Sequence, residues 1–201
     1  MRYRGRGVVM GASLSALVLV ASGCTGAEEA EPTPSFASST ANADPSPELT
    51  EPPYETELNL TPDEKKAADE AYDVLVNYIK ANNEVMADSG GEPDRALQYT
   101  SGELRDKQAE EYESMTEQSE VGVGGVTHTY HRLEQLDLRD KEFGEAVFES
   151  CVDFSHFDIR DRDGKSLAGV DTGPTFTVYT LQQVGRDWKN VDIEFPEYTC
   201  D

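Results

Sequence analysis

The spacing of apolar residues changes once along this chain, and that change restricts it to a mixed architecture. Thr61-Pro62-Asp63-Glu64 has the form of a capping box, with Thr61 as cap, Pro62 in the first turn and Glu64 reaching back. Ala68, Tyr72, Leu75, Ile79 and Met86 then recur at helical spacing and predict one long helix with an apolar stripe, weakened at its end by Asn82 and Asn83 and stopped by Gly90-Gly91. A short helical turn is expected over Pro93 to Tyr99. Thr100-Ser101-Gly102-Glu103 repeats the capping pattern ahead of a second, highly charged helix carrying Leu104, Tyr112 and Met115. Beyond Val121 the residues at 126–138, 145–158, 174–184 and 187–195 are rich in Val, Thr, Phe, Tyr and Ile, as strands are. Asp163-Gly164 and Gly185-Arg186-Asp187 mark turns, the latter between the last two strands. Helices first and antiparallel strands afterwards read as α+β.

The folded part is expected over residues 58–201, the size of one domain around one core, and no internal repeat is present. Ahead of it, residues 24–57 read as a disordered tether: from 25 onward they hold eight acidic residues, six prolines and no basic residue. Such a stretch has too little apolar surface to offset its ordering entropy. In polyproline II geometry it would reach roughly 100 Å.

Residues 1–23 read as an export signal. Arg2, Arg4 and Arg6 precede the apolar run Val8 to Val20, which is shorter than the roughly 20 residues a spanning helix needs. Ala21-Ser22-Gly23-Cys24 closes the run and resembles the bacterial lipobox, which implies cleavage before Cys24 and its lipidation. Two other readings stay open: a secretory signal cut near Ala21 that leaves Cys24 free, and a retained anchor. All three place the chain outside the cytoplasm. Three cysteines are an odd number for an exported chain, and a lipidated Cys24 accounts for the odd one. Cys151 and Cys200 would then pair in an oxidising compartment; the alternative is two free thiols.

The chain carries 17 basic residues against 40 acidic ones, a net charge of −23. That balance excludes nucleic acid as a partner and argues against attraction to anionic headgroups, so membrane association would come from the lipid. Most of the acidity reads as solvation of an exported surface.

The helix at Thr61–Met86, the segment Cys151-Val152-Asp153, the strand Trp188-Lys189-Asn190-Val191 and the terminal Cys200 together resemble actinobacterial secreted lipoproteins with a nuclear-transport-factor-2-like, or SnoaL-like, domain. The resemblance implies a cone-like fold in which the N-terminal helices pack on a curved antiparallel sheet. It also implies an interior pocket, where an Asp and a Tyr do acid–base work in the isomerases and cyclases of that kind. The candidates here are Asp153, Tyr130, Tyr72 and Tyr179; each also reads as a core or strand-end residue, and none matches a catalytic motif.

No metal or cofactor site is expected. His128 and His131 stand three apart on a strand, which points them to opposite faces, and His156 between Asp153 and Asp158 diverges for the same reason. Asp161, Asp163 and Gly164 fail as a calcium loop, because Ile159 and Val170 fall where carboxylates are required. Val121-Gly122-Val123-Gly124-Gly125 lacks a dinucleotide pattern and reads as a flexible connector, and Trp188 reads as core. The expectation is therefore a noncatalytic, lipid-anchored extracytoplasmic module that binds a surface protein, peptide or small ligand. The alternatives are a small SnoaL-like pocket enzyme and an exclusion or immunity lipoprotein.

Overall fold

The computed structural model describes residues 51–139, 143–167, 174–197 and 200. The expected signal sequence, Cys24 and the expected tether up to residue 50 lie outside them. The described part is α+β, and its main sheet is mostly antiparallel and does not close on itself.

Helix α1 spans Pro62–Ala87. Thr61 Oγ1 accepts from the Glu64 amide at 3.3 Å while Glu64 Oε2 accepts from the Thr61 amide at 2.8 Å, so the expected capping box is formed. Ala68, Leu75, Ile79 and Met86 of the expected stripe are buried, and Tyr72 is half-buried at the sheet. The asparagines do not fray the helix. Asn82 Oδ1 accepts from Tyr112 Oη at 2.5 Å, and Asn83 exchanges hydrogen bonds with the Val126 backbone, so both fasten the last turns to neighbouring elements.

The short helix α2, Asp94–Leu97, leads to α3, Gly102–Gln118. The second capping box is not made: Ser101 takes the cap position without a side-chain bond. The strand Asp187–Glu194 explains this, since the Ser101 amide donates to the Asn190 carbonyl at 3.1 Å and the Asn190 amide donates to the Tyr99 carbonyl at 2.8 Å. Thr100 is buried at this junction and its hydroxyl turns back to Leu97.

The main sheet has the order β1-β3-β4-β6-β7, from Tyr54–Glu55, Thr127–Asp137, Glu145–Asp153, Thr175–Val184 and Asp187–Glu194. Strand β1 runs parallel to β3; the other pairs are antiparallel. The last hairpin has a two-residue loop with Gly185 at φ +71° in its first position, as a type II′ turn requires. Leu75, Ile79, Leu133, Phe148, Leu181 and Trp188 form the core between α1 and the sheet, each large side chain contributing about 1.5–3 kcal/mol by leaving water.

Two expectations are corrected here. Residues 51–57 belong to the folded unit, because β1 pairs with β3 and Tyr54 packs edge-on against Phe148. The glycine-rich segment after Val121 is no free connector: β2, Val121–Val123, pairs with β5, Asp158–Arg160, in a small second sheet. Gly124 leaves it at φ +95°, where an added Cβ would lie 1.7 Å from the His156 carbonyl oxygen. Only glycine fits so close a crossing.

Candidate functional site

The polar interior of the domain begins with an irregularity in β3. His128 pairs with Val152 and Tyr130 with Cys151, so Thr129 is the extra residue of a β-bulge. One extra residue reverses the alternation of every side chain before it. The expectation that His128 and His131 face opposite ways is thereby overturned: both are buried on the inner face, their rings stacked 5.1 Å apart at 17°.

Each histidine has one nitrogen fixed by a buried hydroxyl. Ser150 lies directly across from His131 on β4, and its Oγ is 2.7 Å from His131 Nδ1. Tyr179, from β6, places its Oη 2.9 Å from His128 Nε2. The other two nitrogens converge on one carboxylate. Glu51 Oε2 sits 3.0 Å from His131 Nε2 and 3.4 Å from His128 Nδ1, with only 7 % of the Glu51 side chain exposed. Tyr72, from α1, closes the site by setting its ring edge-on to His131 at 5.3 Å and hydrogen bonding to the Pro52 carbonyl.

Electrostatics follow from this enclosure. Burial pushes the Glu51 carboxyl up, but the two histidines facing it outweigh burial and bring the group to about 2. Burial, helped by His128, holds His131 below its ordinary value against the pull of Glu51. Burial raises the phenols of Tyr72 and Tyr179. At neutral pH the site therefore holds an ionised carboxylate, a neutral His131 and two protonated tyrosines. Glu51, His131 and Ser150 form an acid–imidazole–hydroxyl row like that of a nucleophilic triad. Ser150, however, is fully buried and presents no surface to a substrate.

Acid should therefore destabilise the domain in two steps. His131 binds a proton less readily folded than unfolded, so stability falls once the pH drops below its ordinary 6.5. The depressed Glu51 contributes stability that is complete above 4.5 and is lost as the pH falls from there towards 2, on the order of 3 kcal/mol in all. Urea midpoints measured at about pH 7.5, 5.5 and 3.5 should decline at each step, and a flat series would contradict the assignment.

Of the four expected pocket residues, the structure brings Tyr72 and Tyr179 to this site and leaves two outside it. Tyr130, next to the bulge, faces outward into a depression of about 370 Å³ that it shares with Cys151 and Cys200. Asp153 ends β4 at the surface, where its Oδ1 accepts from the Ser155 amide at 2.8 Å, a bond that holds its carboxyl below the usual range. His156 is exposed in the following turn. Cys151 and Cys200 are bonded as a disulfide with Cα atoms 6.0 Å apart. Glu51 and Ser150 were not legible as site residues, the first because it sits in an acidic Pro-rich stretch, the second because a lone strand serine carries no signal.

A second concavity lies where residues 53–60 cross α1. This groove, about 610 Å³, is lined by Pro53, Tyr54, Leu58, Leu60 and Tyr72, with Lys65 and Asp69 at its edge. Tyr54 Oη donates to Asp69 Oδ1 at 2.7 Å, and Lys65 Nζ donates to the same carboxylate.

No protein-family model and no curated protein matches the chain. Among solved structures, it is similar to the intermembrane space region of chloroplast protein ARC6, at 10% identity over 68% of this chain and 98% of that one, with a TM-score of 0.47. Among the described residues, no helix is long and apolar enough to cross a membrane.

Proposed function

We propose that this protein is a noncatalytic, lipid-anchored extracytoplasmic binding module of the actinobacterial lipoprotein kind with a cone-like, nuclear-transport-factor-2-like domain. The observation that carries the binding reading is the groove of about 610 Å³ at the root of the tether, with apolar walls and a charged edge. Such a groove suits a peptide or a small amphipathic ligand. Its position also matters, because one wall is the segment that continues directly into residues 24–50. A ligand there would be met at the point where the domain hangs from its linker. The basic start, short apolar core and Ala21-Ser22-Gly23-Cys24 support the anchor and the address. The bulged sheet against α1 supports the cone-like reading.

The test is crosslinking on intact cells, with mass spectrometry of the membrane fraction. Acylated Cys24 is the expected mature N-terminus, and Cys24→Ala should release the protein to the medium. Leu58→Glu in the groove, or shortening the tether within residues 25–50, should weaken partner capture, since both act on access or contact. Asp153→Asn and Tyr130→Phe should leave capture intact. If Asp153→Asn abolishes the cellular effect with folding preserved and tether length is irrelevant, the binding reading fails.

One observation favours a pocket enzyme as second reading. Tyr72 and Tyr179 share an interior with two histidines, the residue types such chemistry uses. In that reading Glu51 must leave before a substrate enters.

A further inference from the structure

We infer that Glu51, His128 and His131 form a binding site for a divalent transition-metal ion of the zinc class, which would clasp the N-terminal segment to the sheet. The inference is independent of the proposed binding function.

Geometry is the first support. Tetrahedral zinc holds nitrogen and oxygen ligands at about 2.0–2.1 Å, which sets neighbouring donor atoms about 3.3 Å apart. Here Glu51 Oε2 lies 3.0 Å and 3.4 Å from the two imidazole nitrogens, and all three donor atoms fall within 4.8 Å of one another. Both carboxylate–imidazole distances already match that spacing, and a cation at the centre would draw the two imidazole nitrogens, which lie within 4.8 Å of each other, to it as well.

The second support is the way each ring is held. A metal-bound histidine usually donates its far N–H to a fixed acceptor, which sets the tautomer and aims the lone pair. Ser150 Oγ stands at His131 Nδ1 and Tyr179 Oη at His128 Nε2, and a hydroxyl can either donate or accept. When both hydroxyls accept, His131 Nε2 and His128 Nδ1 present lone pairs to the same space as the carboxylate. Three acceptors facing one another need a cation between them.

The third support is an unsatisfied atom. The His128 side chain is only 2 % exposed, and its Nδ1 has no hydrogen-bond partner, since the approach of Glu51 falls short of hydrogen-bond geometry. Buried polar atoms are rarely left unpaired, because each costs about 1–3 kcal/mol. A metal ion would satisfy this nitrogen. Two histidines and a carboxylate also suit zinc or cobalt and leave one position for water. Such a bond would join residues 80 apart, between the entry of the chain and β3.

The experiment uses the full-length chain, stripped with chelator and titrated with Zn²⁺ alone or with Co²⁺ alone. One equivalent should bind, Co²⁺ should give the visible bands of low-coordinate nitrogen and oxygen ligation, and saturation should raise the thermal midpoint by about 5–10 °C. Glu51→Gln and His128→Gln, with folding checked by circular dichroism, should each weaken binding at least about 10-fold. His156→Ala should change nothing. Because the surface is so acidic, weak binding that persists equally in Glu51→Gln counts against the site. Should a variant misfold, the unmutated chain still decides: in nitrogen NMR, Zn²⁺ should shift two of its three imidazoles and leave the third, His156, unmoved. Equal isotherms, spectra and midpoints for the native chain and Glu51→Gln, or no imidazole shift, would overturn the inference.

Discussion

Replacing His131 with alanine should lower the unfolding free energy by about 3–5 kcal/mol, measured by urea denaturation in the presence of chelator. The ring is fully buried, bonded to Ser150 and Glu51, stacked on His128 and touched by Tyr72. Its removal opens a cavity and strands a buried carboxylate whose remaining partner is His128 at 3.4 Å. The second effect is separable, because adding Glu51→Gln to His131→Ala removes the stranded charge. The double variant should be more stable than His131→Ala alone, and this non-additivity is the signature of a direct pair. His156→Ala, in an exposed turn, should cost under about 0.5 kcal/mol. A loss below about 1 kcal/mol for His131→Ala would mean that the Glu51–His131 contact is not a stabilising one.

Loss of the Cys151–Cys200 bond is the other large expected effect. The bridge joins residues 49 apart, a loop for which the chain-entropy treatment gives about 4 kcal/mol, and removal of a native disulfide from a small domain typically costs about 2–5 kcal/mol. Cys200 lies beyond the last strand, and its backbone N–H also donates to the Pro174 carbonyl at 3.3 Å. Cys151→Ser, Cys200→Ser and the double variant should therefore lose about the same stability, since all three remove one bond. The segment after Glu194 should become the first site of proteolysis. Full alkylation of both thiols without reductant, or additive losses in the double variant, would rule the bridge out.

The expected tether and the described domain overlap at residues 51–57. The segment was expected to belong to the linker because Glu51-Pro52-Pro53 continues its composition. In the fold it supplies the carboxylate of the polar site, a strand on β3 and one wall of the groove. Shortening the linker is therefore informative only upstream of Glu51; cutting into 51–57 would disturb the core as well.

What the sequence determined by itself is whatever is encoded over a few neighbouring residues. Thr61 and Glu64 are three apart and cap α1; Ala68, Leu75 and Ile79 repeat at helical spacing and bury one face; Gly185 sets the last hairpin; Cys151 and Cys200 pair. Each depends on local geometry or on counting. The tertiary structure alone decided the site. Thr129 has nothing that marks it as a bulge, yet that one residue turns His128 to the same face as His131, because strand side chains alternate strictly and a single insertion reverses them. Glu51 carries no local mark either: its partners lie across the fold, and its charge is stable in the interior only because folding brings two imidazoles to it. Thr100 shows the same rule in reverse, a local capping pattern overruled by the backbone pairing of its junction with Asn190.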